Sequence, residues 1–141
     1  MESGEKESWF DDYNLMVEFE TTNKNILKRV GRDVVKNAPK VSIITPAYNI
    51  SEFVAETLNS VFAQTFQDYE IIIINDGSPD TAEFERVLEF FFDKIVYLKQ
   101  ENAGAGAARN VGIENARGEV LAFLDGDDVW LPEFLESQIE F

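Results

Sequence analysis

Four apolar stretches divide the chain beyond residue 40, and helical periodicity fills the intervals between them. Val120-Leu121-Ala122-Phe123-Leu124 has no polar alternation, which predicts a strand buried on both faces of a parallel sheet. Tyr69-Glu70-Ile71-Ile72-Ile73-Ile74 predicts a second such strand, ending in Asn75-Asp76-Gly77-Ser78. Val41, Ile43 and Ile44 predict a strand that Pro46 stops, and Ile95 to Leu98 predicts a shorter one. Between them, Phe53, Val54, Leu58, Val61 and Phe62 form the stripe of a helix running to about Gln64. Asn49 and Glu52 resemble the capping box that would open it. Pro79 and Asp80 begin another helix, with Phe84, Val87, Leu88 and Phe91 as its apolar face. A small-residue loop, Asn102 to Ala108, feeds a helix ending near Gly118, and Leu131-Pro132-Glu133 starts one more. Strands alternating with helices imply right-handed crossovers. The expected fold class is α/β: a Rossmann-like, mainly parallel sheet with helices on both faces.

Residues 1–39 read as a separate N-terminal extension, and residues 40–141 as the main domain. In the extension, Ile26, Leu27, Val30, Val34 and Val35 follow helical spacing opposite Lys28, Arg29, Arg32 and Lys36. This predicts an amphipathic helix packed on the main domain or on a neighbouring chain. A membrane-surface helix is disfavoured, because Glu18, Glu20 and Asp33 dilute the basic face. At the other end, the helical pattern reaches Phe141 with no capping signal, so the expectation is a truncated domain. Val120 to Leu124, Phe134, Leu135, Ile139 and Phe141 would then present uncovered apolar surface, and a homodimer is the expected remedy.

Charge and composition narrow the chemistry. The 141 residues carry a formal net charge of −15, almost all of it beyond residue 40. So acidic a body excludes nucleic acid as a partner. It can still take a phosphate ligand if a divalent cation and backbone N–H groups supply the positive field. Without Cys or His there are no disulfides, no zinc sites of the usual kind and no Ser–His or Cys–His nucleophile. No stretch approaches a membrane span, and the acidic N-terminus is unlike a signal peptide, so the expected location is the cytoplasm or the inner face of the membrane.

The candidate chemistry gathers at strand ends, where open α/β sheets bind their ligands. After the last strand, Asp125 and Asp127 flank Gly126, and two hard carboxylates so spaced can hold Mg²⁺ or Mn²⁺ with a substrate phosphate completing the shell. Tyr48, after the first strand, can stack on a base, and Asp76, after the second, can accept an imide or hydroxyl hydrogen bond. Arg109 could reach a phosphate or form a surface ion pair. Three other readings fail. A calcium EF-hand loop needs Gly where Trp130 stands; a dinucleotide fingerprint at Gly104 and Gly106 lacks its third Gly; and no GxxxxGK[ST] loop is present.

KVSIITPAYN, EIIIINDGSPD and ENAGAGAARNVGIENARGEVLAFLDGDD together resemble the nucleotide-binding half of family 2 glycosyltransferases of the GT-A fold, over about Lys40 to Phe141. The resemblance implies transfer of a sugar, with inversion, from a nucleotide-sugar donor (most often a UDP-sugar) to a sugar or glycan acceptor hydroxyl, in cell-envelope polysaccharide biosynthesis. It implies that Pro46 and Tyr48 line the base pocket and that Asp76 pairs with the base. It also implies that Asn102, Gly104 and Arg109 lie beside the nucleotide and sugar. Asp125, with Gly126 next to it, would face the ribose and the metal, and Asp127 would ligate the metal, Mg²⁺ or Mn²⁺. The general base is expected beyond Phe141. Asn75 stands where many members have Asp. Two alternatives compete. A sugar-nucleotide pyrophosphorylase would want Gly and Arg directly after the first strand, and TPAYNIS has neither. A catalytically incomplete nucleotide-binding or assembly module remains open for the isolated chain.

Overall fold

The computed structural model describes residues 26–139. Its elements, in chain order, are β1 (Leu27–Val30), β2 (Val41–Ala47), α1 (Val54–Phe62), β3 (Tyr69–Asp76), α2 (Thr81–Leu88), β4 (Val96–Gln100), α3 (Ala105–Asn115), β5 (Val120–Phe123) and α4 (Phe134–Ile139), with a short 3₁₀ turn at Phe92–Lys94 before β4. They form a five-stranded sheet of order β1-β4-β3-β2-β5. The last four strands in sequence run parallel and β1 runs antiparallel to β4.

Both faces of the sheet are covered, which explains the unbroken isoleucines of β3. Ile71 and Ile73 pack with Val54, Leu58, Phe84 and Leu88 of α1 and α2. Ile72 and Ile74 pack on the opposite side with Ile44, Leu98 and Ala108 of α3. Helix α3 lies unusually close: a Cβ on Gly112 would stand 2.5 Å from Ile44 Cγ2 and 2.9 Å from Ile74 Cδ1. At the N-terminal ends of the strands, buried Glu70 accepts the Ser42 hydroxyl at 2.6 Å and the Arg117 backbone N–H at 2.8 Å. The Arg117 guanidinium pairs with the same carboxylate at 2.9 Å and donates to the Val35 and Lys36 carbonyls. One ion pair thus ties β3, the entry to β5 and the segment before β2.

Four expectations need correction. Residues 27–30 form a strand, not an amphipathic helix. Helical spacing was present, but Gly31 would sit mid-helix, while the open edge of β4 offers backbone pairing from Leu27↔Lys99 to Val30↔Val96. The rest of the segment before Ile26 lies outside the described residues. Pro46 does not stop β2, which runs to Ala47. Ile44, two residues back, gives its carbonyl to Leu124 N–H, so the Pro46 nitrogen faces the same side, where β5 has already left the ladder. The missing donor therefore costs nothing there. There is no capping box: α1 starts at Val54 without a side-chain cap, and Asn49 takes φ +60° in the preceding loop, leaving Phe53 exposed. Finally, β5 is not buried on both faces. It is an edge strand whose Val120, Leu121 and Phe123 are exposed, and among the described residues no strand pairs with its outer edge.

Candidate functional site

Strand order reverses between β2 and β5: the chain builds outward from β2 through β3 to β4, then returns to β2's other side. In a doubly wound sheet that switch point leaves a crevice at the carboxyl ends, because the flanking connections depart to opposite faces. A cavity of about 440 Å³ lies there. It is lined by Pro46, Tyr48, Asp76, Asn102, Gly104, Arg109, Asp125, Gly126 and Asp127, with Ala47, Ile50 and Ala105 completing the wall. Every residue singled out from the sequence is therefore in one place, although they come from four separate segments.

Each segment has its own anchor. Tyr48 follows β2 directly and is 49% exposed, so its ring is available to a ligand. Asp76 ends β3 and is only 4% exposed. Its carboxylate accepts hydrogen bonds from the Ala103 N–H at 2.7 Å, the Gly104 N–H at 2.9 Å, Gln100 Nε2 at 3.0 Å and Asn102 Nδ2 at 3.3 Å. That anion, at the N-terminal end of α3, folds the loop that leads into the helix. Gly77 permits the approach: its φ is +63°, and a Cβ there would lie 2.4 Å from the Asn102 nitrogen.

The Asp125–Asp128 turn closes through an Asp128 N–H to Asp125 carbonyl bond of 3.0 Å. Thr57 of α1 holds it in place by donating its hydroxyl to the Gly126 carbonyl at 2.9 Å. Asp125 meets Arg109 of α3 at 3.4 Å, both side chains being partly exposed. Asp125 and Asp127 are hard oxygen donors open to the cavity, and among the described residues no cluster of three or more acidic side chains could hold a metal alone. Such a donor set fits a Mg²⁺ or Mn²⁺ ion that takes one or two carboxylates and completes its shell with substrate phosphate and water.

Three positioning residues, Ser78, Asp80 and Thr57, were not among the candidate site residues. Ser78 Oγ accepts the Asn49 N–H at 2.7 Å and donates to Asp80, whose carboxylate also accepts the Ser51 N–H at 3.0 Å. Burial pushes the Asp80 carboxyl upward, but the Ser78 and Ser51 hydrogen bonds outweigh it and hold the group below its ordinary value. This brace carries the Tyr48 loop. Asp80 was expected only to start α2, and the local signal for more, a second acid three residues after Gly77, is faint. Thr57 offers no signal at all, since its hydroxyl meets a backbone 69 residues away. Beneath the loop, Asn75 donates to the Tyr97 hydroxyl at 2.9 Å and Tyr97 donates to Glu85 at 2.8 Å. Burial, and then Glu85, push the Tyr97 phenol well above its ordinary value, so it remains a donor.

A mainly parallel sheet between helices, with acidic turns around a crevice at its switch point, defines an α/β fold of the GT-A type. The chain belongs to glycosyl transferase family 2, whose model matches residues 42–141. An uncharacterized glycosyltransferase of Rickettsia conorii is 46% identical over 100 residues, 71% of this chain and 17% of that protein. The putative teichuronic acid biosynthesis glycosyltransferase TuaG of Bacillus subtilis is 42% identical over 108 residues, 73% of this chain and 42% of that protein. The crystal structure of S. aureus TarS 1-349 in complex with UDP-GlcNAc matches with a TM-score of 0.63 at 31% identity, over 70% of this chain and 30% of that one. The mannosyltransferase PcManGT from Pyrobaculum calidifontis, in complex with GDP-Man and Mn²⁺, matches with a TM-score of 0.58 at 25% identity, over 70% of this chain and 31% of that one. The chain spans less than half the length of each of these proteins. Among the described residues no helix is long and apolar enough to cross a membrane.

Proposed function

We propose that this chain is the donor-binding half of a glycosyltransferase that moves a sugar, with inversion, from a UDP-sugar to an acceptor hydroxyl. The observation that carries the reading is the single cavity at the switch point that gathers Tyr48, Asp76, Arg109, Asp125 and Asp127. Tyr48 offers an open ring to the base, with Pro46 beside it. The loop folded by Asp76 sets Asn102 and Gly104 against the nucleotide at the start of α3, where backbone N–H groups favour an anion. Arg109 gives the diphosphate a positive contact.

Asp125 and Asp127 are the residues that would hold Mg²⁺ or Mn²⁺. The cation's contribution, when bound, is positive charge against the leaving diphosphate. The acceptor proton needs a general base, which the reading assigns to the protein beyond Phe141. The complexes of TarS with UDP-GlcNAc and of PcManGT with GDP-Man and Mn²⁺ support a nucleotide-sugar ligand and a divalent cation here.

Thermal shift with UDP, GDP and UDP-GlcNAc, each in Mn²⁺ and in EDTA, tests the proposal. UDP at 100 times its dissociation constant should stabilise the chain by about 2.7 kcal/mol in Mn²⁺ and far less in EDTA. Equal stabilisation in EDTA would refute the metal role. No stabilisation by any nucleotide would refute the donor site.

A further inference from the structure

Asp125 and Asp127 face the cavity, and among the described residues that line it Arg109 is the one cation. Asp76 lines it too, but four hydrogen-bond donors already occupy its carboxylate. Arg109 is committed to Asp125 at 3.4 Å, whereas no ion pair among the described residues involves Asp127. The guanidinium therefore stands beside the place a cation on Asp125 would take, and like charges so close repel. A diphosphate entering the same cavity changes the balance, because it offers the guanidinium a more highly charged, bidentate partner.

Resting on the donor-site reading above, we infer that Arg109 is a counter-ion switch that couples metal binding to donor binding. In the donor-free chain it neutralises Asp125 and keeps the divalent cation weakly bound. When the diphosphate arrives, Arg109 transfers to it and Asp125 becomes free to ligate the metal. Each ligand then strengthens the other by the same factor, as linkage requires. Both side chains are partly exposed, 40% for Arg109 and 55% for Asp125, so the pair is worn down by solvent and its effect is modest. Modesty suits a switch, because a tight pair would block the metal altogether.

The test is Mn²⁺ binding to the full chain, read by calorimetry or by the loss of free Mn²⁺ signal, for wild type, Arg109→Gln and Arg109→Lys, with and without UDP. Arg109→Gln should bind Mn²⁺ alone about two- to five-fold more tightly than wild type, the factor an exposed ion pair of this kind supports. It should also show a smaller gain in Mn²⁺ affinity when UDP is added. Arg109→Lys, which keeps the charge but not the fork, should stay near wild type for Mn²⁺ alone. A role for Arg109 confined to holding the donor would leave Mn²⁺ binding without UDP unchanged in Arg109→Gln, and that result, or weaker binding, overturns the inference while the donor site stands. Wild-type protein that binds no Mn²⁺ with or without UDP overturns the inference together with the metal role, and UDP stabilisation in EDTA then shows separately whether the donor site stands. Circular dichroism and the melting temperature of each variant confirm that the fold is intact.

Discussion

Replacing Asp76 by Asn should unfasten the loop beside the proposed donor cavity, and its cost can be worked from the four bonds the carboxylate accepts. One oxygen takes Gln100 Nε2 and the Ala103 N–H, and the other takes the Gly104 N–H and Asn102 Nδ2. An amide retains one acceptor and sets an NH₂ group against two donors, whichever way it turns. Hydrogen bonds to a charged group contribute about 1.5–3 kcal/mol each, and an unsatisfied buried donor costs about 1–3 kcal/mol. Asn102, Ala103 and Gly104 are exposed enough for water to replace part of this, and Gln100 can reverse its amide. The net loss for Asp76→Asn should be about 2 kcal/mol, and for Asp76→Ala about 3 kcal/mol. The smaller loss corresponds to a fall in Tm of roughly 7 °C for a domain of this size. Urea unfolding followed by circular dichroism measures it, with an unchanged m value showing that the unfolded state is the same. On the proposed function both variants should also lose UDP-dependent stabilisation, because the loop that would lie beside the nucleotide is no longer held. Asp127→Ala is the control: exposed at the cavity rim, it should change stability by less than about 0.5 kcal/mol and lose only the metal-dependent part of UDP binding. Asp76→Asn within 0.5 kcal/mol of wild type would refute the claim that this carboxylate builds the loop.

Two further outcomes follow from the packing. Arg117→Ala leaves Glu70, whose side chain is 1% exposed, with only the Ser42 hydroxyl and a backbone N–H. Breaking a buried pair costs about 3–5 kcal/mol, and because Arg117 is itself 36% exposed the loss should be about 2–4 kcal/mol in urea unfolding. The double variant Glu70→Gln, Arg117→Met should recover much of that loss, and simple additivity of the two single changes would contradict the pairing. The second concerns pH. Asp80 is held below its ordinary value in the folded chain, so its stabilisation is complete above the usual carboxylate range and fades as pH falls through that range toward the lowered folded value. Wild type and Asp80→Asn compared by urea midpoint from pH 7 to 3 should therefore converge at acid pH, and a constant gap between them would show that the Ser78 and Ser51 bonds do not stabilise the charge.

The alternation of strands and helices, the mainly parallel sheet and the residues that gather at the cavity were legible along the chain. Each rests on a local signal: the buried run Ile71–Ile74, the helical stripe Val54, Leu58 and Val61, or an acid in the turn after a strand. Residues at the carboxyl ends of parallel strands must also converge, so Tyr48, Asp76 and Asp125 could be joined without coordinates. What only the tertiary structure decided depends on partners distant in sequence. Leu27–Val30 has helical spacing but becomes a strand because β4, some seventy residues on, presents an open edge. Val120–Phe123 has the composition of a central strand, yet composition cannot tell a strand with two neighbours from one with a single neighbour. Asn49 looks like a helix cap, but its backbone turns to φ +60° and its N–H goes to Ser78. Asp76 reads as a ligand group, while its carboxylate also organises a loop 26 to 28 residues away. Periodicity records which face of an element is apolar, and it holds no record of which distant donor, edge or cation will meet that element once the chain has closed.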